Sequence, residues 1–420
     1  MRRSQLFIKT RKQAPADEES RNAQLLIRAG FIHKEMAGVY SYLLPGKMVI
    51  DNISQIIRQE MNAIGGNEVL MSTLQNKELW QATGRWDDKV VDNWFKSKLA
   101  NGTEVGIGLS HEEPIVQMLK SYVNSYKDLP LYVYQIQNKF RNELRAKSGL
   151  LRGREFLMKD LYSFSRTQAE HDQYYEKVAA AYMKIYDRLG FSGITYRTFA
   201  SGGIFSRFSD EFQILSHVGE DTIYVDEKMK IAVNKEVADQ DTLNHLKLEI
   251  GQLKEQKAVE AGNIFTLGSK YSDALGLKFT DEKGAQQSLI MGCYGIGVSR
   301  LMGLIAEHFA DDKGLVWPEN VAPYKIYLAS VGDSQTVRKA ADEIYGFLTD
   351  SGINILYDDR DERPGEKFAD ADLFGIPYRV VVSEKSQAAG GYELKKRTAT
   401  DTEALSKDQL LNQLKNPLQA

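Results

Sequence analysis

Arg141 and Glu143 close a β-rich run, Tyr132–Arg141, and carry the strongest chemical signal in the chain. Two residues apart on an extended segment, they are expected to project from one face of a sheet. An isolated Arg-x-Glu commonly just pairs with itself. The same groups also suit a nucleotide, because a guanidinium offers a planar fork to phosphate or carboxylate and a carboxylate accepts from an exocyclic amine. A short polar loop follows, then Arg152-Gly153-Arg154-Glu155-Phe156-Leu157-Met158-Lys159-Asp160, in which Phe156 offers a stacking surface on the returning strand.

Two further stretches bear chemistry. Ser110-His111-Glu112-Glu113 follows the run Glu104–Leu109. Ser-x-x-Glu ahead of Ile115 and Val116 matches a helix capping box, with Ser110 as N-cap and Glu113 at N3. That leaves Glu112 free, and a free carboxylate at a strand-to-helix junction suits an ammonium group. Gly292-Cys293-Tyr294-Gly295-Ile296-Gly297-Val298-Ser299-Arg300 runs into an apolar helix, Leu301–Phe309. Its glycines admit a ligand close to the backbone, but the spacing fits neither a dinucleotide fingerprint nor a P-loop. A glycine-rich strand ending in arginine at a helix start suits a nucleotide polyphosphate.

Positioning these groups calls for a sheet. Glu68–Thr73, Glu104–Leu109, Tyr132–Arg141, Arg154–Phe164 and Ser288–Val298 read as strands with few helices between them, which predicts a largely antiparallel sheet. From Pro45 to Gly65 the apolar residues fall at helical spacing and stop at Gly65-Gly66. Asp239–Lys257, with Leu243, Leu246, Ile250 and Leu253, reads as a helix docked on the body. After Pro318–Pro323 the pattern changes to strand (Lys325–Val331), helix, strand (Ile353–Tyr357), helix after Pro364-Gly365, and strand (Tyr378–Ser383), with a last short helix at Leu405–Leu414. This predicts a small α/β domain. The overall expectation is an α+β protein with domains at 1–320 and 322–420.

The 420 residues hold 54 Lys and Arg against 57 Asp and Glu, a net charge of −3. Such a chain is no general polyanion binder, and any nucleic acid must meet local basic patches. The lone Cys293 excludes a disulfide framework and a Cys-rich zinc site, and fits a reducing cytoplasm. No apolar run approaches about 18 residues, so no membrane span is expected. The N-terminus lacks the apolar stretch of a signal peptide.

Together, and in this order, the three stretches resemble the signature motifs of class II aminoacyl-tRNA synthetases. The surrounding words, among them Gly38–Pro45, Glu78–Trp86, Tyr134–Arg141, Arg154–Asp160 and Met291–Gly297, are similar to bacterial-type prolyl-tRNA synthetases. Asp358–Gly365 and Gly375-Ile376-Pro377 resemble that family's anticodon-binding domain. The resemblance implies an antiparallel-sheet catalytic domain flanked by helices, followed by a small α/β anticodon-binding domain. It implies a cytoplasmic homodimer that activates L-proline with ATP and Mg²⁺ and passes the prolyl group to tRNA(Pro), without structural zinc. Carried over, Arg141 holds the α-phosphate and the proline carboxylate, Glu143 accepts from adenine, and Phe156 stacks on it. Arg300 and Arg152 clamp the outer phosphates. Ser110 and Glu112 bind the proline ammonium, and the ring rests by Phe265 and Tyr294. Arg145 meets the tRNA acceptor end, while Arg360, Glu362, Arg363 and Lys367 read the anticodon. No Mg²⁺ ligand is assigned.

The chain departs from that family at Ser110 (usually Thr), Asn263 (usually His), Ser72 (usually Pro) and the stretch 201–210. Only about 50 residues separate Gln213 from Asn263, where typical bacterial relatives insert an editing domain, and a separate domain of ordinary size does not fit there. Two other readings are a sister synthetase, such as one for threonine, and a synthetase-like RNA-binding protein without catalysis. The first wants a zinc ligand cluster that is missing, and the second has no need of a triphosphate clamp.

Overall fold

In the computed structural model, which describes residues 1–146, 148–203 and 205–415, the extended runs build one nine-stranded sheet. Its strands are β1 (Asn67–Glu68), β2 (Leu131–Phe140), β3 (Glu155–Ser165), β4 (Thr195–Ser201), β5 (Phe208–Leu215), β6 (Asp221–Asp226), β7 (Ile231–Asn234), β8 (Lys254–Gly268) and β9 (Ile290–Gly297). They lie in the order β5-β4-β7-β6-β8-β9-β3-β2-β1, and β5 also pairs with β8. All pairings are antiparallel except β1 with β2 and β4 with β7. The central register sets Phe156 opposite Lys139, Asp160 opposite both Gln135 and Gly295, and Cys293 opposite both Tyr162 and Phe265.

Side chains alternate across such a sheet, so the register sorts them by face. One face receives the helix Gln168–Arg188, started by the Thr167 side chain accepting from the Glu170 amide. That helix buries Tyr174, Val178, Tyr182, Ile185 and Tyr186. The other face packs the helix Glu112–Leu119 through Ile115, Val116 and Leu119 against Tyr162, Phe164 and Met291.

Three expected segments differ. Of Glu68–Thr73, only its first residue belongs to a strand, because β1 ends at Glu68. Further on, side chains replace the ladder: Gln135 accepts from the Met71 amide at 3.1 Å and Gln137 donates to the Met71 carbonyl at 2.5 Å. The strand Tyr132–Arg141 ends at Phe140, which leaves Arg141 just beyond it. In Asp239–Lys257 the helix covers only Gln240–Leu246, capped by Asp239 and ended by Lys247 at φ 57°. The residues from Lys254 are recruited into β8 by pairing with β6.

The chain divides into two compact units, one of Ala37–Val39 with Ile53–Leu301, the other of Met1–Met36, Tyr40–Asn52 and Met302–Ala420. The second holds a five-stranded sheet in the order Ile355–Asp358, Ile326–Val331, Tyr378–Ser383, Tyr392–Lys396, Glu403–Leu405. Helix Gln335–Asp350 buries Val337, Ala341, Ile344 and Leu348 on one stripe. Helix Pro364–Phe374 begins with proline at its first turn and ends at Gly375 in the left-handed region, φ 70°. Leu410 and Leu414 of the terminal helix Lys407–Lys415 complete the core. Residues 416–420 of the expected second domain, and Ile204 of the stretch 201–210, lie outside the described residues. Among the described residues no helix is long and apolar enough to cross a membrane.

Candidate active site

Ser110, Glu112, Arg141, Glu143, Arg152, Phe156, Phe265 and Arg300, all singled out from the sequence, line one cavity of about 300 Å³. Alternation explains the convergence. Phe156 and Met158 on β3, Cys293, Gly295 and Gly297 on β9, and Asn263 and Phe265 on β8 fall on one face of the sheet and form the floor. Gly295 keeps it open, since a Cβ there would stand 2.5 Å from the Met158 Cε.

At one end the cavity is cationic. The Arg141 guanidinium lies over the Phe156 ring, 5.3 Å from its centroid. Among the described residues no carboxylate lies within ion-pair distance of it, so Arg141 and Glu143 do not pair with each other. Burial, and then the nearby positive charge of Arg300, lower the Arg141 pKa, although a guanidinium stays protonated. Arg300 is held by Nε donating to the Leu151 carbonyl at 2.8 Å and by Nη1 facing the Glu260 carboxylate at 3.3 Å. Arg152 is half-exposed between Glu143 at 3.5 Å and Glu220 at 3.1 Å. Three guanidinium groups thus border one space, two of them leaning on carboxylates that a phosphate can replace.

The other end holds carboxylates, and here the structure corrects the sequence reading. The capping box does not form: His111 is the N-cap, without a side-chain cap bond. Ser110 Oγ instead donates to Glu112 Oε1 at 2.8 Å, and Cys293 Sγ donates to the same oxygen at 3.3 Å. Nor is Glu112 free. Arg85 Nη1 lies 3.0 Å from Glu112 Oε2 and 3.0 Å from Glu113 Oε2, and all three side chains are buried. Arg85 is itself wrapped by the rings of Trp80, Phe205 and Tyr271. Burial alone would raise the Glu112 pKa, but Arg85 and the Ser110 hydrogen bond hold it below its ordinary value. Glu113 goes the other way: burial and repulsion by Glu112 push it up to about 7 against the pull of Arg85.

On the same face of the sheet, beside the floor residues, lies a buried polar network. Lys139 Nζ sits 2.8 Å from Asp160 Oδ1 and 2.8 Å from His111 Nδ1. Gln135 and Tyr162 donate to Asp160 Oδ2 at 3.0 and 2.9 Å. With Nδ1 accepting from a lysine ammonium, His111 carries its proton on Nε2 and donates to the Ser72 carbonyl at 3.1 Å. Burial and the Lys139 charge push the His111 pKa down to about 4. A carbonyl is present with serine or proline at position 72, so that departure keeps this bond.

Sequence reasoning missed Arg85, Phe205, Glu260 and Lys139, and took Glu113 for a capping residue alone. Gly84-Arg85-Trp86 stands inside one of the quoted words, which was the available signal for Arg85. Phe205, from the departing stretch 201–210, packs at a tilt of 50° with its ring centroid 4.9 Å from that of Phe265 and lines the cavity. Asn263 donates to Glu260 at 3.2 Å, and its buried Oδ1 has no hydrogen-bond partner among the described residues. Tyr294 does not reach the cavity. It falls on the opposite face, with its hydroxyl 2.9 Å from Ser163 and its ring against Tyr174. Arg145 is exposed in the loop after β2 and does not line the cavity.

In the second unit, Glu362 and Arg363 are exposed, whereas Lys367 is buried and donates to the Ser330 carbonyl at 2.8 Å. Arg360 forks onto Asp358 with two bonds of 2.7 Å and reaches Asp370 at 2.8 Å. The expectation that Lys367 reads bases is corrected: its ammonium is spent inside the fold, and Arg360 braces the turn.

Among the described residues no group of three or more His, Cys, Asp and Glu is arranged to hold a metal ion. The carboxylate beside Arg300 is Glu260, with Glu211 next to it, pushed up to about 8 by burial and by Glu260.

Residues 94–309 match the family model of the tRNA synthetase class II core domain (G, H, P, S and T), and residues 325–417 match that of an anticodon binding domain. The class is therefore that of the class II aminoacyl-tRNA synthetases. A proline–tRNA ligase of Agrobacterium fabrum is 36% identical over 438 residues, covering 98% of this chain and 99% of that one. One from Geobacillus sp. is 33% identical over 571 residues, covering 100% of both chains. The crystal structure of prolyl-tRNA synthetase from Cryptosporidium parvum complexed with halofuginone and AMPPNP has a TM-score of 0.77 at 16% identity, covering 94% of this chain and 76% of that one, a likeness of fold. The chain belongs to the proline–tRNA ligase family. It is of the compact kind: between Gln213 and Asn263 it holds β6, β7, a short helix and the start of β8, with no room for an editing domain.

Proposed function

We propose that the cavity binds ATP, with its Mg²⁺, beside L-proline and joins them as prolyl-adenylate. The enzyme is an ATP-dependent proline–tRNA ligase. The observation that carries the assignment of roles is the convergence of Arg141, Arg300, Glu143, Phe156 and Glu112 on one space. Adenine stacks between Phe156 and the cavity wall, and Glu143 accepts from its amino group. Arg141 bridges the α-phosphate and the proline carboxylate, while Arg300 and Arg152 take the outer phosphates. Glu112 and Ser110 receive the secondary ammonium, with the apolar ring against Phe265.

In the first step a carboxylate oxygen of proline attacks the α-phosphorus, and the bond to the bridging oxygen breaks to release pyrophosphate. In the second, a ribose hydroxyl at the 3′ end of the tRNA attacks the prolyl carbonyl, loses its proton, and AMP leaves. Charge grows on phosphate oxygens between fixed guanidinium groups, so preorganised electrostatics and alignment carry the catalysis. Arg145 guides the acceptor end, and Glu362 and Arg363 read the anticodon in a turn braced by Arg360 and Lys367. Domains of 1–320 and 322–420, a cytoplasmic location and a homodimer complete the reading. The dimer is supported by Leu70 and Leu74, 77% and 56% exposed just after the Leu44–Ala63 helix.

ATP–pyrophosphate exchange measured against each amino acid separately tests this. Exchange with proline alone is expected. A threonine-only signal would move the enzyme to a sister specificity, and no signal with any amino acid would remove the adenylating role.

A further inference from the structure

The turn offered to the anticodon has the wrong charge for RNA. From Asp358 to Asp370 it carries six carboxylates against three cations, and two of those cations, Arg360 and Lys367, are bonded inward. RNA phosphates need cations at the surface. The opening segment supplies them, because residues 1–16 hold Arg2, Arg3, Lys9, Arg11 and Lys12 and no carboxylate.

That segment lies along the turn. Arg2 forms a parallel bridge with Tyr357 and pairs with Asp342 at 2.9 Å and Asp359 at 3.5 Å. Ser4 grips Asp359 twice, through its amide at 2.9 Å and its hydroxyl at 2.7 Å. Arg3 is buried, donating to the Ile8 carbonyl at 2.8 Å with Asp370 at 3.8 Å, and Thr10 donates to Asp370 at 2.7 Å. Asp359 and Asp370 are thus occupied by the segment and Asp358 by Arg360. What it leaves outward is Phe7, 78% exposed, with exposed Lys9, Arg11 and Lys12. Among the described residues none of these three cations has an ion-pair or side-chain hydrogen-bond partner.

We propose that residues Arg2–Lys12 are a docking strap for the anticodon arm of tRNA: its inner residues cover Asp359 and Asp370 of the acidic turn, and Phe7, Lys9, Arg11 and Lys12 meet the RNA. This rests on the tRNA-charging function proposed above. An exposed aromatic ring among unpaired cations matches an RNA loop, whose bases stack on rings while its backbone seeks positive charge. The continuity of the strap with Glu362 and Arg363 places that loop.

The test is steady-state charging of tRNA(Pro) by the full chain across about 50 to 200 mM salt. The triple variant Lys9→Ala/Arg11→Ala/Lys12→Ala is expected to raise the KM for tRNA about tenfold and to flatten the slope of log KM against log salt by about two, at roughly 0.7–0.9 per phosphate released. Proline-dependent exchange should not change. Phe7→Ala is expected to raise KM with the slope unchanged. Arg363→Ala runs beside them. If Arg363→Ala raises KM and the strap variants do not, the strap proposal fails and tRNA charging stands. If no variant changes KM, both the strap and the anticodon assignment fail.

Discussion

Proline binding should depend on pH through Glu113, a residue that touches no substrate. One guanidinium, Arg85, serves two buried carboxylates at 3.0 Å each. Fully ionised, the group carries one uncompensated negative charge, the charge an incoming prolinium matches. With Glu113 protonated, Arg85 already neutralises Glu112, and the attraction for an ammonium is gone. Glu113 is pushed up to about 7, so about one site in eleven is ionised at pH 6 and about ten in eleven at pH 8. Apparent affinity scales with the competent fraction, so the Kd for proline should be about tenfold weaker at pH 6 than at pH 8.

The sign follows from the same geometry. A cation docked on Glu112 cancels the repulsion that raised Glu113, so proline binding expels a proton, about half a proton per site at pH 7. Calorimetric titration of proline in two buffers of different ionisation enthalpy reads this directly, without ATP or pyrophosphate. Other groups facing the pair are Thr83, which donates to Glu113 at 2.7 Å, and Tyr271, whose pKa burial moves upward, out of range. His111, on the adjoining residue, titrates near 4. Glu113→Gln, fixed in the uncharged state, should bind proline more than tenfold more weakly than wild type at pH 8, weaker than wild type at pH 6, and with no pH dependence. A flat wild-type profile without proton release, or affinity that weakens as pH rises from 6 to 8, would refute the argument.

Three further outcomes are expected. Without an editing domain, and with alanine rejected only by missing methylenes worth ~1–3 kcal/mol, purified enzyme should accumulate alanyl-tRNA(Pro) without clearing it; rapid deacylation by the same protein would contradict this. Arg300→Ala should lower the kcat/KM of exchange by about 100- to 1000-fold, and Arg300→Lys should not restore it, since an ammonium lacks the fork that holds Leu151 and a phosphate together; wild-type exchange in either variant would end its role. His111 is buried with its pKa pushed down to about 4, so the unfolded chain takes up its proton first. Stability should therefore fall by about 2 kcal/mol from pH 7 to pH 5, as chemical denaturation can measure, and His111→Asn should remove that part of the loss.

What could be read from the amino acids was set by local spacing. Arg141 and Phe156 were legible because they stand at the end and the start of extended runs, and Arg300 because it opens the helix Val298–His308 behind a glycine-rich strand. The helix Pro364–Phe374 and the stripe Val337, Ala341, Ile344, Leu348 carried their periods and stops openly. Arg85 was not legible as a partner, because a pair 27 residues apart is made by folding alone. The capping box failed for a related reason. Ser110 and Glu113 had the right spacing, yet Glu112, Thr83 and Arg85 offered them stronger bonds. Tyr294 was placed by the proline ring through the family resemblance, although its position on β9, one residue from Cys293, sends it to the far face.

The same arrangement decides what attacks phosphorus. A hydroxyl and a thiol line the cavity, those of Ser110 and Cys293. Both donate to Glu112 Oε1, and burial followed by the Glu112 charge raises the Cys293 thiol well above its ordinary pKa. A thiol acts as a nucleophile once ionised, and this one is held protonated by the carboxylate it serves. Glu112 cannot act as a general base toward either of them without giving up the ammonium that the proposed function assigns to it. In the proposed pose the group set beside the α-phosphate is the substrate's own carboxylate, which needs no deprotonation at neutral pH, while Glu112, Glu143 and Glu260 are engaged by Arg85, Arg152 and Arg300. The protein's part is then to bring two anions together, and the adjoining guanidinium groups of Arg141 and Arg300 make that approach possible.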